Sequence, residues 1–187
     1  QLAHLKDRAA KAMGMKELLG VEGMAAALYF EQFNGMLKVN DRRIFEFHAR
    51  NRRPPRDPVN ALLSMGYSIL CKEVTGICHA VGLDPFLGVM HQPRYGRPAL
   101  ALDLMEEFRP LIADSVAISM VNRSEVSRDD FIISAAGVSL NEHGRRAFWE
   151  SYCRRMEMEV AHPHFGYRMP YRRMLEVQAR QMWRFVR

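Results

Sequence analysis

In the stretch GVMHQPRYGRPALALDLMEEFRP, residues 88–110, His91 precedes an apolar run that carries Asp103 and Glu106. Three residues separate the two acids, which on a helix places them on one face beside Leu102, Leu104 and Met105. A further acid, Glu22, stands between Gly20 and Gly23 among Leu18, Leu19, Val21 and Met24. A carboxylate in such company costs free energy unless it is paired or holds a metal. Carboxylates with at most one imidazole form a hard, oxygen-rich donor set suited to Mg²⁺ or Mn²⁺, and without thiolates they do not resemble a structural zinc site. Each residue also has an ordinary reading: Glu22 as an acid near a helix N-terminus, His91 as a hydrogen-bonded structural residue, and the pair as exposed helix acids. Spacing alone does not bring Glu22 to His91.

The elements that must position these groups read as helices. KELLGVEGMAAALYFEQFNGML spaces Leu19, Ala26, Tyr29, Phe30, Phe33 and Leu37 as one apolar stripe, with Glu22 near the start of that helix. DPVNALLSMGYSILCKEVTGICHAVG predicts a central helix, with Asp57 as N-cap, Pro58 at the first helical position and Gly82 as the stop. A third helix, from about Ala99 to Val121, carries Asp103 and Glu106 and should kink or break at Pro110. DDFIISAAGVSL suits a short hairpin, Asn141 can cap a helix running through Glu157, and YRRMLEVQARQMWRFVR closes the chain as an amphipathic helix. The expectation is an all-α fold, with residues 1–18 a linker or lead-in helix from an upstream domain and 19–187 a single helical unit.

Composition narrows the function. Hydrophobic residues make up 48% of the chain, yet no apolar run approaches the roughly 20 residues a membrane span needs. Charges break every candidate signal peptide near the N-terminus, and the start at Gln1 suggests a piece of something longer. Cys71, Cys78 and Cys153 suit neither a disulfide framework nor a zinc spacing and read as buried thiols in a reducing cytosol. Of 27 basic residues 22 are arginine, whose planar fork binds phosphate bidentately. Arg42, Arg43, Arg50, Arg52, Arg53 and Arg56 cluster around Phe45 and Phe47, which suits either a solvated loop or a nucleic-acid contact.

The runs NRRPPRDPVNALLSMGYSIL and VGLDPFLGVMHQPRYGRPALALDLMEEFRP resemble the C-terminal α-helical domain of the CRISPR-associated integrase family, the first-numbered Cas protein. The likeness extends upstream to LLGVEGMAAALYF, which matches the family's GxEG helix start, and downstream to HPHFGYRMPYRRMLEVQARQMWRFV. It implies a metal site of Glu22, His91 and Glu106 for Mg²⁺ or Mn²⁺, with Asp103 as a second acid the family needs. One of the two helix acids would ligate while the other orients a ligand or a basic loop.

The same resemblance implies an endonuclease and integrase of antiviral defence that inserts short DNA into a CRISPR array. A DNA 3′-hydroxyl attacks a phosphodiester, with the ion stabilising developing charge. Arg42, Arg43, Arg52, Arg53, Arg56, Arg94, Arg97, Arg168 and Arg172 would cradle phosphates of double-stranded DNA, both prespacer and leader-repeat. Tyr95, Tyr167 and Tyr171 would stack or hydrogen-bond near the cut. The implied partners are the second-numbered Cas protein, a second copy joined through an N-terminal β-rich domain absent from this chain, and a fused nuclease or reverse transcriptase. The implied location is the prokaryotic cytoplasm. Two other readings are a non-catalytic DNA-binding helical module and a structural protein-interaction domain.

Overall fold

The structure, a computed structural model, describes residues 1–38, 44–163 and 165–186. Arg42 and Arg43 lie outside the described residues. Seven α-helices carry the chain: α1 Leu2–Ala10, α2 Met15–Glu31, α3 Pro58–Val81, α4 Ala99–Met105, α5 Ser115–Asn122, α6 Glu142–Met156 and α7 Tyr171–Val186. Two antiparallel strand pairs complete it. β1 Phe131–Ser134 pairs with β2 Gly137–Leu140, Phe131 opposite Leu140, and β3 Glu159–Ala161 pairs with β4 Arg168–Pro170, Val160 opposite Met169. The all-α expectation holds, with the strands among the described residues confined to these two ribbons.

Helix α3 is the axis of the core. The Asp57 side chain accepts from the Asn60 backbone N–H at 2.8 Å, Pro58 opens the helix, and Gly82 ends it in the left-handed region at φ 82°. Val59, Leu62, Leu63 and Leu70 are fully buried, and α3 packs on α4, α5, α7 and β2. Gly66 allows the closest approach: a Cβ there would lie 3.0 Å from the Ala113 Cβ and 3.2 Å from the Phe148 ring.

The third helix neither runs through Pro110 nor breaks there. After α4 the chain tightens into a 3₁₀ turn, Glu106–Phe108, then widens into a π-helix, Arg109–Asp114, before resuming as α5. Pro110 has no N–H for the carbonyl four residues back, and its ring crowds that carbonyl, so the hydrogen-bond register shifts instead. The shifted register leaves Asp114 inside, 1% exposed.

The first stripe also differs from expectation. Helix α2 starts at Met15, so residue 18 falls inside it and Glu22 sits two turns in rather than at its N-terminus. Leu19 and Ala26 are exposed, and Glu22 itself is exposed, so no burial cost attaches to its charge. The apolar contacts gather at the far end, where Phe33 and Leu37 are buried in the core. The β3–β4 ribbon was not foreseen either, because its three-residue strands carry Glu159, Arg168 and Pro170 instead of an alternating apolar pattern. The hairpin, the Asn141 cap on Gly144 and the buried face of α7 stand as expected.

Candidate metal centre and its arginine surround

Asp103 organises the loop that leads into α4. Its Oδ2 accepts from the backbone N–H groups of Val89 at 2.6 Å and Met90 at 2.9 Å, and its Oδ1 accepts from the His91 N–H at 3.0 Å. The same Oδ1 meets His91 Nδ1 at 2.6 Å. The carboxylate against Nδ1 favours a proton there, which in the neutral imidazole leaves Nε2 as the acceptor face. Gly88 makes the tight turn possible, since a Cβ there would come 2.4 Å from the His91 carbonyl oxygen and 2.6 Å from Ala99.

One turn along, Glu106 forms an ion pair with Arg109, Nη1 to Oε2 at 2.8 Å. Burial raises the Glu106 pKa first. Arg109 pulls it back, Glu22 pushes it up, and His91 and Arg52 lower it. Glu106 therefore feels charges carried by α2, by the loop after α3 and by the arginine-rich segment. Among the described residues no three acid, histidine or cysteine side chains close around a common point. Glu106 faces Arg109 and His91 faces Asp103. The donor set nonetheless fits a hard divalent cation in kind: two carboxylates and an imidazole whose second nitrogen is anchored by a third carboxylate.

From residue 44 onward the arginine-rich segment packs against the core. Phe45 and Phe47 are buried, with Phe47 4.9 Å from the Phe33 ring, so the aromatic residues serve the core and turn their neighbours outward. Asn60, fully buried, accepts from Arg50 Nη1 at 2.7 Å and the Asn51 N–H at 3.0 Å and donates to the Ala49 carbonyl at 2.9 Å. Arg50 is thereby drawn in over the Tyr67 ring, 5.1 Å from its centroid. Arg52, Arg53, Arg56 and Arg94 are exposed, and Arg97 is half-buried. The two remaining candidates are held by acids: Arg172 by Glu73 and Glu157, and Arg168 by Glu159. Tyr95 projects fully into solvent on a turn closed by Arg94 and Arg97, Tyr167 is exposed, and Tyr171 is buried beneath Arg155.

Sequence reading passed over three residues here. Arg109 lies three positions after Glu106, the spacing of an ion pair on a helix. Asp114 stands alone among apolar residues in PLIADSVAISM, which is a signal for a buried, hydrogen-bonded acid. Tyr67 has no local signal, because its partners come from residues far away in sequence. Asp114 accepts from Tyr67 Oη at 2.7 Å and Tyr29 Oη at 2.9 Å.

The fold is that of a known group of CRISPR proteins: residues 1–154 match the family model for CRISPR associated protein Cas1. The chain belongs to the Cas1 family. It is 52% identical over 180 residues, 95% of its length, to a CRISPR-associated exonuclease Cas4/endonuclease Cas1 fusion from Geobacter sulfurreducens. It spans 32% of that protein, about a third of the length of the fusion relatives it matches. Among solved structures, a chain of a Cas6-RT-Cas1–Cas2 complex superposes with a TM-score of 0.82 at 30% identity, covering 96% of this chain and 19% of that one. A casposase bound to integration product superposes with a TM-score of 0.89 at 24% identity over all of this chain and 52% of the other, a likeness of fold. The three cysteines are free thiols, burial raising Cys78 to about 11, and among the described residues no helix is long and apolar enough to cross a membrane.

Proposed function

We propose that residues 19–187 form the catalytic domain of a divalent-metal-dependent DNA integrase and endonuclease of CRISPR adaptation, with residues 1–18 leading in from an upstream domain. The observation that supports this reading is the imidazole of His91 held by Asp103, one helical turn before Glu106, whose carboxyl feels the charges of His91 and Glu22. Glu22, Glu106 and His91 Nε2 would hold Mg²⁺ or Mn²⁺. When bound, the ion supplies charge stabilisation and acidification of a DNA 3′-hydroxyl for attack on a phosphodiester.

The protein's own groups do the rest. Asp103 keeps the His91 proton on Nδ1, so the imidazole presents a lone pair and does not act as a proton donor on that side. Arg109, now paired with Glu106, supplies a guanidinium that neutralises the carboxylate or turns to a phosphate oxygen. Exposed Arg52, Arg53, Arg56 and Arg94, with half-buried Arg97, track the duplex backbone, giving affinity with little base preference. Arg168 and Arg172, bound to acids, contribute less. Arg42 and Arg43 extend the same basic segment in sequence.

The substrates under this reading are prespacer DNA and the leader-repeat junction of the array, in the prokaryotic cytoplasm. The partners are Cas2, a second copy joined through an N-terminal domain, and a fused or associated nuclease or reverse transcriptase. The Cas4/Cas1 fusion and the Cas6-RT-Cas1–Cas2 complex support, by their composition, association with Cas2 and with a fused nuclease or reverse transcriptase.

The Glu106–Arg109 pair also favours a second reading, a DNA-binding helical module in which Arg109 stands where a cation would. Titrating Mn²⁺ against thermal stability separates the two. An ion that binds only the native state stabilises it by about 2.7 kcal/mol at 100 times its Kd. The integrase reading expects a rise in Tm that Glu22→Gln and His91→Ala abolish. No rise in the unaltered protein would leave the binding module.

A further inference from the structure

Asp114 is a carboxylate 1% exposed to solvent, yet it forms no ion pair among the described residues; its two hydrogen bonds come from the phenols of Tyr29 and Tyr67. Burying a carboxylate is costly, and an apolar pair of the same shape would pack as well. What distinguishes this one is the set of elements it joins. Tyr29 lies seven residues after Glu22 on α2, two turns on and therefore on the same helix face, about 10 Å along the axis. Asp114 ends the π-helix that begins at Arg109, and Arg109 holds Glu106. Tyr67, on α3, lies between the guanidiniums of Arg109 and Arg50, each 5.1 Å from its ring centroid.

The attachment of α2 makes this tie consequential. The helix has one buried residue, Val21, packs on α1, and reaches the core at its C-terminal end, where Tyr29 and Phe30 meet Phe33. Glu22 and its neighbours Gly23 and Met24 face solvent. With one buried residue along α2 and its remaining packing made to the short helix α1, its angle to the Glu106 segment depends on where Tyr29 is pinned. We propose that Asp114 is the positioning residue of the site: by binding Tyr29 and Tyr67 together it sets the spacing of Glu22, on one element, from Glu106, on the other. The inference rests on the metal-site reading above and adds the device that sets the ligand spacing. Asp114 itself touches neither ion nor substrate.

The test uses the complete protein and Mn²⁺ itself as the probe, followed by electron paramagnetic resonance well below the melting temperature. Tyr29→Phe removes one hydroxyl and keeps the ring contacts, while Asp114→Asn keeps the shape and changes the acceptor. Each should weaken Mn²⁺ binding about tenfold, the usual effect of losing a group that orients a ligand. Tyr152→Phe is the control: it removes an equivalent phenol bond, 2.9 Å to Glu73, and should lower Tm without changing Mn²⁺ affinity. Unchanged Mn²⁺ affinity in Tyr29→Phe, with a Tm loss like that of Tyr152→Phe, would reduce the Asp114 cluster to a structural role and overturn the inference alone. A wild-type protein that takes up no Mn²⁺ would overturn the metal-site reading together with it.

Discussion

His91 and Asp103, twelve residues apart, meet at 2.6 Å between Nδ1 and Oδ1, and the same carboxylate binds three consecutive backbone N–H groups of the loop that carries the histidine. Asp103 thus fixes both the path of the loop and the face the imidazole presents. Asp103→Asn loses the negative charge and part of the acceptor capacity. It should weaken Mn²⁺ binding on the order of tenfold, measured by calorimetric titration. An unchanged constant would mean that the loop holds its shape without this carboxylate.

Asp114 adds a pH dependence whose sign follows from its surroundings. Burial raises its pKa, with the hydrogen bonds from Tyr67 and Tyr29 and the charges of Arg109 and Arg50 offsetting part of the effect. The folded state therefore holds this proton more tightly than the unfolded state. Its contribution to stability is full below the ordinary aspartate value of about 3.9 and declines as pH rises from there through the folded value. The stability difference between wild type and Asp114→Asn should shift against wild type from about pH 4 upward, as read from urea unfolding. A difference that rises with pH would contradict the burial of an ionised group here.

The exposed arginines divide into two sets. Arg52→Ala with Arg53→Ala should lower the slope of log affinity against log salt for duplex DNA by roughly two units. Arg168→Ala with Arg172→Ala should lower it less, because both guanidiniums are already engaged by Glu159, Glu73 and Glu157. Equal slopes for the two double variants would remove the distinction.

Gly66 marks where α3, the π-helix and α6 touch. Gly66→Val places a branched side chain against Ala113 and Phe148 and should cost about 1–3 kcal/mol, or roughly 2–4 °C in Tm for each kcal/mol. A thermal melt of the variant checks this. A Tm equal to wild type would mean that the neighbours move aside freely.

The helices with local punctuation were legible in the sequence. Asp57, Pro58 and Gly82 bound α3 as their chemistry requires, and Asn141 caps α6. The pairing of His91 with Asp103 was only half legible: the two acids Asp103 and Glu106 share a helix face by their spacing, but nothing local showed that the preceding histidine meets Asp103. Less legible were effects decided by distant partners. Periodicity counted Leu19 and Ala26 as core, but few core elements face that end of α2, so they remain exposed. Pro110 announced a disruption, but whether a helix breaks or slips into π geometry depends on the packing of Ala113 against Gly66. Arg50 looked like its exposed neighbours until Asn60, ten residues on, drew it inward. The Tyr29–Asp114–Tyr67 junction spans 85 residues of sequence, beyond the reach of any local pattern.

The central claim is that His91 belongs to a metal site that performs strand transfer, and the most direct measurement compares His91→Ala with wild type in the complete protein. A labelled DNA with a free 3′-hydroxyl is followed into an array-like target in Mn²⁺, beside an anisotropy titration of the same DNA. The account predicts that strand transfer is lost while DNA affinity stays within about twofold, because phosphate contacts come from arginines elsewhere and the misplaced hydroxyl affects only the transition state. Wild-type strand transfer by His91→Ala would contradict it.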